Sequence, residues 1–355
     1  MPKYLDIAKL LETRIRHGDY ALMKLPGEVA LAEEAGVSRM TARKALEHLT
    51  GKGILVKKSN GRREINRHSD SPATRLQVAF LAPAYTSPHA DRLRIATERS
   101  VHALGGRLRP IEYVHWEDPV IGNTLETFDG VFLVSQPEAL SDRVFDLLKG
   151  PPCRVVALDV DMTSHGIPSI QIWPPVFIQH LLDHLDQQGH RNIDCFNVQP
   201  LHPEIQGRIR QWQLWTALHN VEGELINEPV EIFGDAAHHA CSVMKRRLKT
   251  GDIKGSALLT LTESAAFGAS RALQDAGYKL GRDISLCTVG DTNFYDLFCP
   301  SITALAMPDP QPYLQLCLQW MRNRSQPWVG PLLLQPSQPE LFIGESTGRA
   351  DPKSE

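Results

Sequence analysis

The chain has 355 residues, too many for one ordinary domain, and its 42% apolar and 22% charged residues suit a soluble globular protein rather than a disordered or fibrous one. The net charge of −3 hides an uneven distribution: residues 1–70 hold 14 Lys or Arg against 9 Asp or Glu, and the remainder holds 24 against 32. A basic first part suits a polyanionic partner and an acidic second part does not. The six cysteines, Cys153, Cys195, Cys241, Cys287, Cys299 and Cys317, show neither a CxxC nor a zinc-type spacing, so reduced and mostly buried thiols are expected. No signal pattern and no run of 18 apolar residues occurs, and a cytoplasmic protein with no membrane partner is expected.

In chain order, YLDIAKLLETRIRHG places Leu5, Ile7, Ala8, Leu11 and Ile15 near one helical face, with Gly18 as a stop. LPGEVALAEEAG reads as a short second helix, with Pro26 and Gly27 at its start, Glu28 at the positive end and Gly36 as the exit turn. A third helix follows in VSRMTARKAL: Ser38 is a good N-cap, and Ala42, Ala45, Leu46 and Leu49 form a buried stripe. Arg39, Met40, Thr41, Arg43 and Lys44 stay off that stripe. Two short helices joined by a tight turn, with basic residues crowding the start of the second, make a helix-turn-helix. GILVKKSNGRREIN then alternates around a turn at Asn60-Gly61, a β-hairpin flanked by Lys57, Lys58, Arg62 and Arg63. The bland alternative is a solvated charged face, but stripe, cap, turn and hairpin agree on a winged helix.

The stretch HGDYALMKLPGEVALAEEAGVSRMTARKALEHLTGKGIL closely resembles the DNA-binding domain of the GntR family of bacterial transcription regulators. Leu25-Pro26, Glu28, Leu31-Ala32, Gly36 to Arg39, Thr41, Arg43, Ala45-Leu46, Leu49 and Gly53 carry the likeness, which covers residues 3–66. The chain departs in having Gly27 after Leu-Pro, Val29 where the family often has a polar base-contacting residue, and Gly61 as the only wing glycine. These departures concern the operator sequence, not the fold. The resemblance implies that Arg39 and Arg43 read bases or phosphates and that Thr41 contacts a phosphate or a base edge, with Ser38 beside them. Lys44, Lys57, Lys58, Gly61, Arg62 and Arg63 would then meet the backbone, giving salt-sensitive affinity.

Residues 67–75, RHSDSPATR, read as a linker. Beyond it the apolar runs LQVAFLAP, FDGVFLVS, CRVVALDVD, SIQIW, IDCFNVQ, ALLTLT and SLCTV alternate with helical patterns that end at glycines such as Gly189 and Gly277. This order predicts parallel sheets covered on both faces, with ligands beyond the carboxyl ends of the strands.

RVVALDVD, HLLDHLDQQGHRNID, LTESAAFGASRALQDAGYKLGRDISLCTVGDT, CPSITAL and GEST resemble, in order, the effector domain of LacI/GalR-type regulators. The resemblance implies a two-lobed periplasmic-binding-protein-like (type I) fold. The expected class is α/β: a winged helix-turn-helix at 1–66, a linker at 67–75, an effector-binding and dimerisation domain at 76–347 and a tail at 348–355. A GntR-type head on such a body resembles the arabinose-responsive repressor architecture. The sugar-binding motifs depart most. Thr262-Glu263 replaces the family's Asn-Asp, Gly290 replaces one Asp and leaves Asp291, and Trp173-Pro174 replaces an Asp-Asn. An effector other than a typical free sugar, a remodelled pocket and decayed sensing all stay open.

Strand ends supply the effector-site candidates: Tyr85, Ser87, His89, Gln136, Asp159 and Asp161. Trp173, Gln199, Arg208, Arg210, Trp212, Glu263 and Asp291 complete the set. Arg208 and Arg210 would suit an anionic effector, though a surface helix explains them as well. Trp212 and Trp215 read more readily as core or interface than as stacking platforms. His180 and His184 stand i, i+4 but lack the glutamate of a metalloprotease helix, so a surface or dimer-face pair is expected. His238-His239 reads as a loop-like doublet. No metal, cofactor or catalytic motif is evident, and no enzymatic activity is expected. The sequence thus points to a homodimeric, DNA-binding regulator, a repressor controlled by a sugar or a sugar-derived or anionic metabolite, on a near-palindromic operator. The alternatives are a constitutive DNA-binding protein with a purely dimerising body, and a pyridoxal-phosphate enzyme with a DNA-binding head.

Overall fold

A buried stripe decides the first part of the structure, a computed structural model that describes residues 2–17, 19–20, 24–59, 61–66, 76–85, 87–138, 140–150, 153–232, 234–290, 294–323 and 325–350. Gly18, Asn60, the linker 67–75, Asp291 and the end of the tail lie outside the described residues. Helix α1 (Lys3–His17), α2 (Glu28–Glu34) and α3 (Arg39–Gly51) pack through Ile7, Ala8, Leu11, Ile15, Leu31, Ala42, Ala45, Leu46 and Leu49. Each leucine buried here contributes roughly 1.5–3 kcal/mol. Ser38 caps α3 by accepting from the Thr41 N–H at 3.2 Å. Gly36, at φ +61°, makes the left-handed turn between α2 and α3, a conformation that favours glycine.

Strands β1 (Leu55–Lys57) and β2 (Arg63–Ile65) pair antiparallel, with Lys57 opposite Arg63, and form the hairpin expected after α3.

The larger part alternates strand and helix: β3 (Gln77–Pro83), α4 (Pro88–Ala103), β4 (Arg107–Tyr113), α5 (Pro119–Thr127), β5 (Gly130–Val134), α6 (Asp142–Lys149), β6 (Arg154–Leu158) and β7 (Ser169–Ile170). It continues as α7 (Ile178–Gln187), β8 (Ile193–Asn197), α8 (Pro203–His219), β9 (Leu225–Asn227), α9 (Ala236–Thr250), β10 (Ala257–Thr260), α10 (Glu263–Asp275), β11 (Ser285–Val289) and β12 (Thr303–Ala306). Helix α11 (Gln311–Arg322), β13 (Leu333–Leu334) and β14 (Glu340–Phe342) close it.

Two six-stranded sheets result, in the orders β13-β7-β6-β5-β3-β4 and β14-β12-β11-β10-β8-β9. All pairings within them are parallel except that of β12 with the edge strand β14. The chain passes between the two lobes after β7, after β12 and between β13 and β14. Central strands such as β8 and β11 are buried along their whole length, which is why they read as continuous apolar runs.

Three local expectations are corrected. SIQIW stops being strand at Ile170, because Ile172 and Trp173 leave the sheet to pack into the core shared by both lobes. His238 and His239 open α9 rather than a loop: Asp235 caps that helix, and His239 Nε2 lies 2.9 Å from the Glu228 carbonyl. His184 is not on a surface face; it is buried, its Nε2 2.9 Å from Thr347 Oγ1. No helix among the described residues is long and apolar enough to cross a membrane.

Candidate functional site

The exposed side of α3 carries Arg39, Met40, Arg43 and Lys44. The stripe of alanines and leucines holds the opposite side against α1 and α2. The Thr41 hydroxyl lies 2.9 Å from that of Ser38, at the helix N-terminus where a phosphate would be favoured. Arg43 pairs with Glu47 at 2.9 Å and keeps 54% of its side chain exposed. In the wing the Lys58 N–H donates to the Arg62 carbonyl at 2.8 Å and the Gly61 N–H to the Lys58 carbonyl at 2.9 Å, so Lys57, Lys58, Gly61 and Arg62 sit at an exposed turn. Arg63 corrects the expectation of a free phosphate contact. Its side chain is 12% exposed and turns inward to Glu28 at 3.2 Å and Glu47 at 3.8 Å.

A second site lies between the lobes, a cavity of about 390 Å³, within the range of small-molecule sites. The first lobe supplies Tyr85, Ser87, His89 and Asp159, and the second supplies Gln199, Arg208 and Glu263. All but Arg208, which stands in the second turn of α8, come from the carboxyl end of a strand or from the helix start that follows it. His89 Nε2 meets the Asp159 carboxylate, whose other oxygen accepts from the Ile172 N–H at 3.2 Å. Asp159 holds this place with φ +57°, strain that a non-glycine residue keeps only where its surroundings enforce it. Burial pushes the Tyr85 phenol up to about 12, so its hydroxyl stays protonated and able to donate. Arg208 is 3% exposed; it pairs with Glu204 and donates to the Leu261 carbonyl at 2.5 Å.

Five candidates fall outside this cavity. Trp173 is 1% exposed and Trp212 donates to the Ile193 carbonyl at 3.1 Å; both fill the core, which their area and position between lobes and helices dictate. Gln136 is buried and turned to Glu138 at 3.2 Å. Asp161 is exposed and caps the turn at Thr163, accepting from its N–H at 2.9 Å. Arg210 is exposed two residues beyond Arg208, on another face of α8, so the two arginines do not form the paired anion clamp.

Residues 3–64 match the family model of the bacterial regulatory proteins of the gntR family, and residues 182–311 match that of the periplasmic binding protein-like domain. The chain joins a GntR-type winged helix to a periplasmic-binding-protein-like body. The GntR-type head is similar to the HTH-type transcriptional repressor NagR of Bacillus subtilis (strain 168), 41% identical over 58 residues, 16% of this chain and 24% of that protein. It is equally similar to the HTH-type transcriptional regulator GmuR of the same organism, 41% identical over 59 residues, 16% of this chain and 25% of that protein. The chain thus spans about a quarter of the length of the curated relatives it matches.

Solved structures extend the likeness to the body. A LacI family transcriptional regulator from Arthrobacter sp. FB24, in complex with lactose, has 16% identity and a TM-score of 0.63 over 77% of this chain and 99% of that one. The lactose repressor bound to an anti-inducer has 19% identity and a TM-score of 0.64 over 77% of this chain and 100% of that one. At such identities the likeness is one of fold.

The periplasmic-binding-protein-like body also brings residues to the cavity that pattern reading passes over: His202, Glu204, Asp235, Thr262 and Phe267. Proline at the first position of α8 marks the start of a helix, so Pro203 was the available signal for His202 at its N-cap and Glu204 in its first turn. Burial pushes the His202 imidazole down to about 4, with the Arg208 charge adding to the effect. Thr262 is 8% exposed and its hydroxyl has no hydrogen-bond partner among the described residues.

Proposed function

We propose that this chain is a transcription regulator, a repressor, whose affinity for its DNA operator is set by a small molecule held between the lobes of the body. One observation carries the reading: an exposed basic recognition helix stands in the same chain as a cavity lined from both lobes. An occupant touching both lobes binds the closed arrangement better than the open one. That difference in affinity is the only quantity by which it can shift the state of the heads. The heads of the curated relatives and the folds of the solved LacI family regulators support both halves of this reading.

A single head presents one recognition helix, so a homodimer on a near-palindromic site, with half-sites about 34–36 Å apart, suits the geometry. Such a protein works where the chromosome is, in the cytoplasm, and the cavity is read as a binding site rather than a catalytic one.

A mobility-shift titration on a palindrome near the chain's own gene tests the first half. The expected result is a site-preferring complex that weakens steeply with salt. Equal affinity for the palindrome and for random DNA overturns it. The second half is tested by repeating the titration with candidate effectors; a constitutive regulator would bind its site identically with every one.

A further inference from the structure

The cavity stands at the starts of four helices: α4 at Pro88, α8 at Pro203, α9 at Ala236 and α10 at Glu263. Helix starts attract anions through their free N–H groups and dipole. Here the chain has filled those places with its own groups. Ser87 caps α4, accepting from the Ala90 N–H at 3.2 Å, and Asp235 caps α9, accepting from the His238 N–H at 3.0 Å. Glu204 and Glu263 occupy the first turns of α8 and α10.

The guanidinium that would clamp an anion is also used. Arg208 is spent on Glu204 and on the Leu261 carbonyl, and it is the only lysine or arginine among the lining residues described. Against it stand the carboxyl groups of Asp159, Glu204, Glu231, Asp235 and Glu263. Of the two lining imidazoles, His89 already faces Asp159, and His202 stays neutral near pH 7 because burial holds its pKa at about 4. The lining therefore keeps an excess of acidic groups with their cations already committed. A separate feature points to an occupant: Thr262, which lines the cavity beside Glu263, is more than nine-tenths buried, and its hydroxyl has no hydrogen-bond partner among the described residues. A buried hydroxyl without a partner is costly unless something else satisfies it.

We infer that the cavity takes a hydroxyl-bearing ligand with a protonated amine, its ammonium in the acidic lining and a hydroxyl on Thr262, and that it rejects phosphorylated and carboxylated molecules of the same size. This rests on the cleft being the effector site. The carboxylates lower the potential where a cation would sit, and an anion would meet like charge with no free arginine to receive it. The volume fits a molecule the size of one sugar ring or slightly larger.

The test is a thermal-shift and calorimetric series on the full chain with glucose, glucosamine, glucuronate and glucose 6-phosphate, which differ mainly in charge. The expected order is glucosamine first, glucose weaker and the two anions without effect, with the melting temperature rising as the concentration passes Kd. Glu263→Gln keeps the shape and removes a charge; it should cut the preference for glucosamine over glucose on the order of tenfold. Should that variant fold poorly, Glu231→Gln at the exposed rim should cut it by a smaller factor. Tighter binding of either anion, equal binding of glucose and glucosamine, or no shift with any of the four overturns the assignment. A mobility shift on operator DNA with the same preparation reports the regulator reading separately, since it fails only if the head does not recognise its site.

Discussion

Arg63 of the wing donates from Nη1 to a Glu28 carboxylate oxygen at 3.2 Å, and the other oxygen accepts from Arg39 Nε at 3.2 Å. One carboxylate therefore ties the wing to the first residue of the recognition helix. The Arg63 hydrogen bond, followed by that of Arg39, holds the Glu28 carboxyl below the usual carboxylate range. Simple charge counting says that removing an acid from a DNA-facing surface strengthens binding. The geometry argues otherwise for specific DNA: Glu28→Ala should lower the ratio of operator to random-DNA affinity by about tenfold while random-DNA affinity stays level or rises. Competition mobility shifts measure both, and a parallel rise in the two affinities would show that Glu28 does no positioning.

Arg43 and Lys58 should behave differently from each other. Arg43 projects from the α3 surface with Glu47 steadying its guanidinium, whereas Lys58 stands at the wing turn with Glu64 at 3.3 Å. Arg43→Ala should relax operator selectivity by on the order of tenfold to a hundredfold. Lys58→Ala should weaken operator and random DNA alike and reduce the slope of log affinity against log salt by about one. Titrations at several salt concentrations on both DNAs separate the two outcomes; equal losses for both variants would sink the assignment.

Gly268 lies where α10 presses on α9. A side chain built there would meet the Ala237 carbonyl oxygen, with the Ala240 Cβ and the Cys241 N each at 2.6 Å. Those neighbours are backbone and a methyl in a helix, so they cannot swing aside. Gly268→Ala should cost roughly 1–3 kcal/mol of stability through overpacking, read as a lower denaturation midpoint. Because α9 and α10 both start at the cavity, the same variant should bind its effector more weakly.

The head was legible because every level agreed: Ser38 caps, Gly36 turns and the Ala42-Ala45-Leu46-Leu49 stripe buries. The central strands were legible for the same reason, as uniformly buried segments. Strand β4 was not, because it is an edge strand whose burial alternates and which carries Pro110. In the cleft, sequence position located strand ends but not side-chain direction. Asp159 and Asp161 are two residues apart, yet one enters the cavity and the other caps a turn. Arg208 and Arg210 part in the same way, since residues two apart on a helix face different sides. Partnership was also hidden: that Glu204 would consume Arg208, and that Arg63 would turn inward to Glu28, depends on contacts that no local pattern encodes.

The same partnerships set the response to acid. His202 is held neutral by burial, its pKa lowered from 6.5 to about 4, and burial lowers His184 and His190 in the same direction. Between these limits the unfolded chain binds a proton that the folded chain refuses, so stability rises with pH across the window. It is complete above about 6.5 and is lost progressively as pH falls toward 4; for His202 alone the loss is at most about 3 kcal/mol. Asp194, raised by burial, opposes this at the lower, carboxylate end of the window. The expected outcome is a melting temperature that declines steadily from neutral pH toward 4.5. His202→Gln should make that decline shallower without abolishing it, because His184 and His190 keep their places beside Thr347 and between Ser256 and Ser285. Parallel melting curves for the variant and the parent across that range would show that His202 takes up its proton as readily in the folded chain as in the unfolded one.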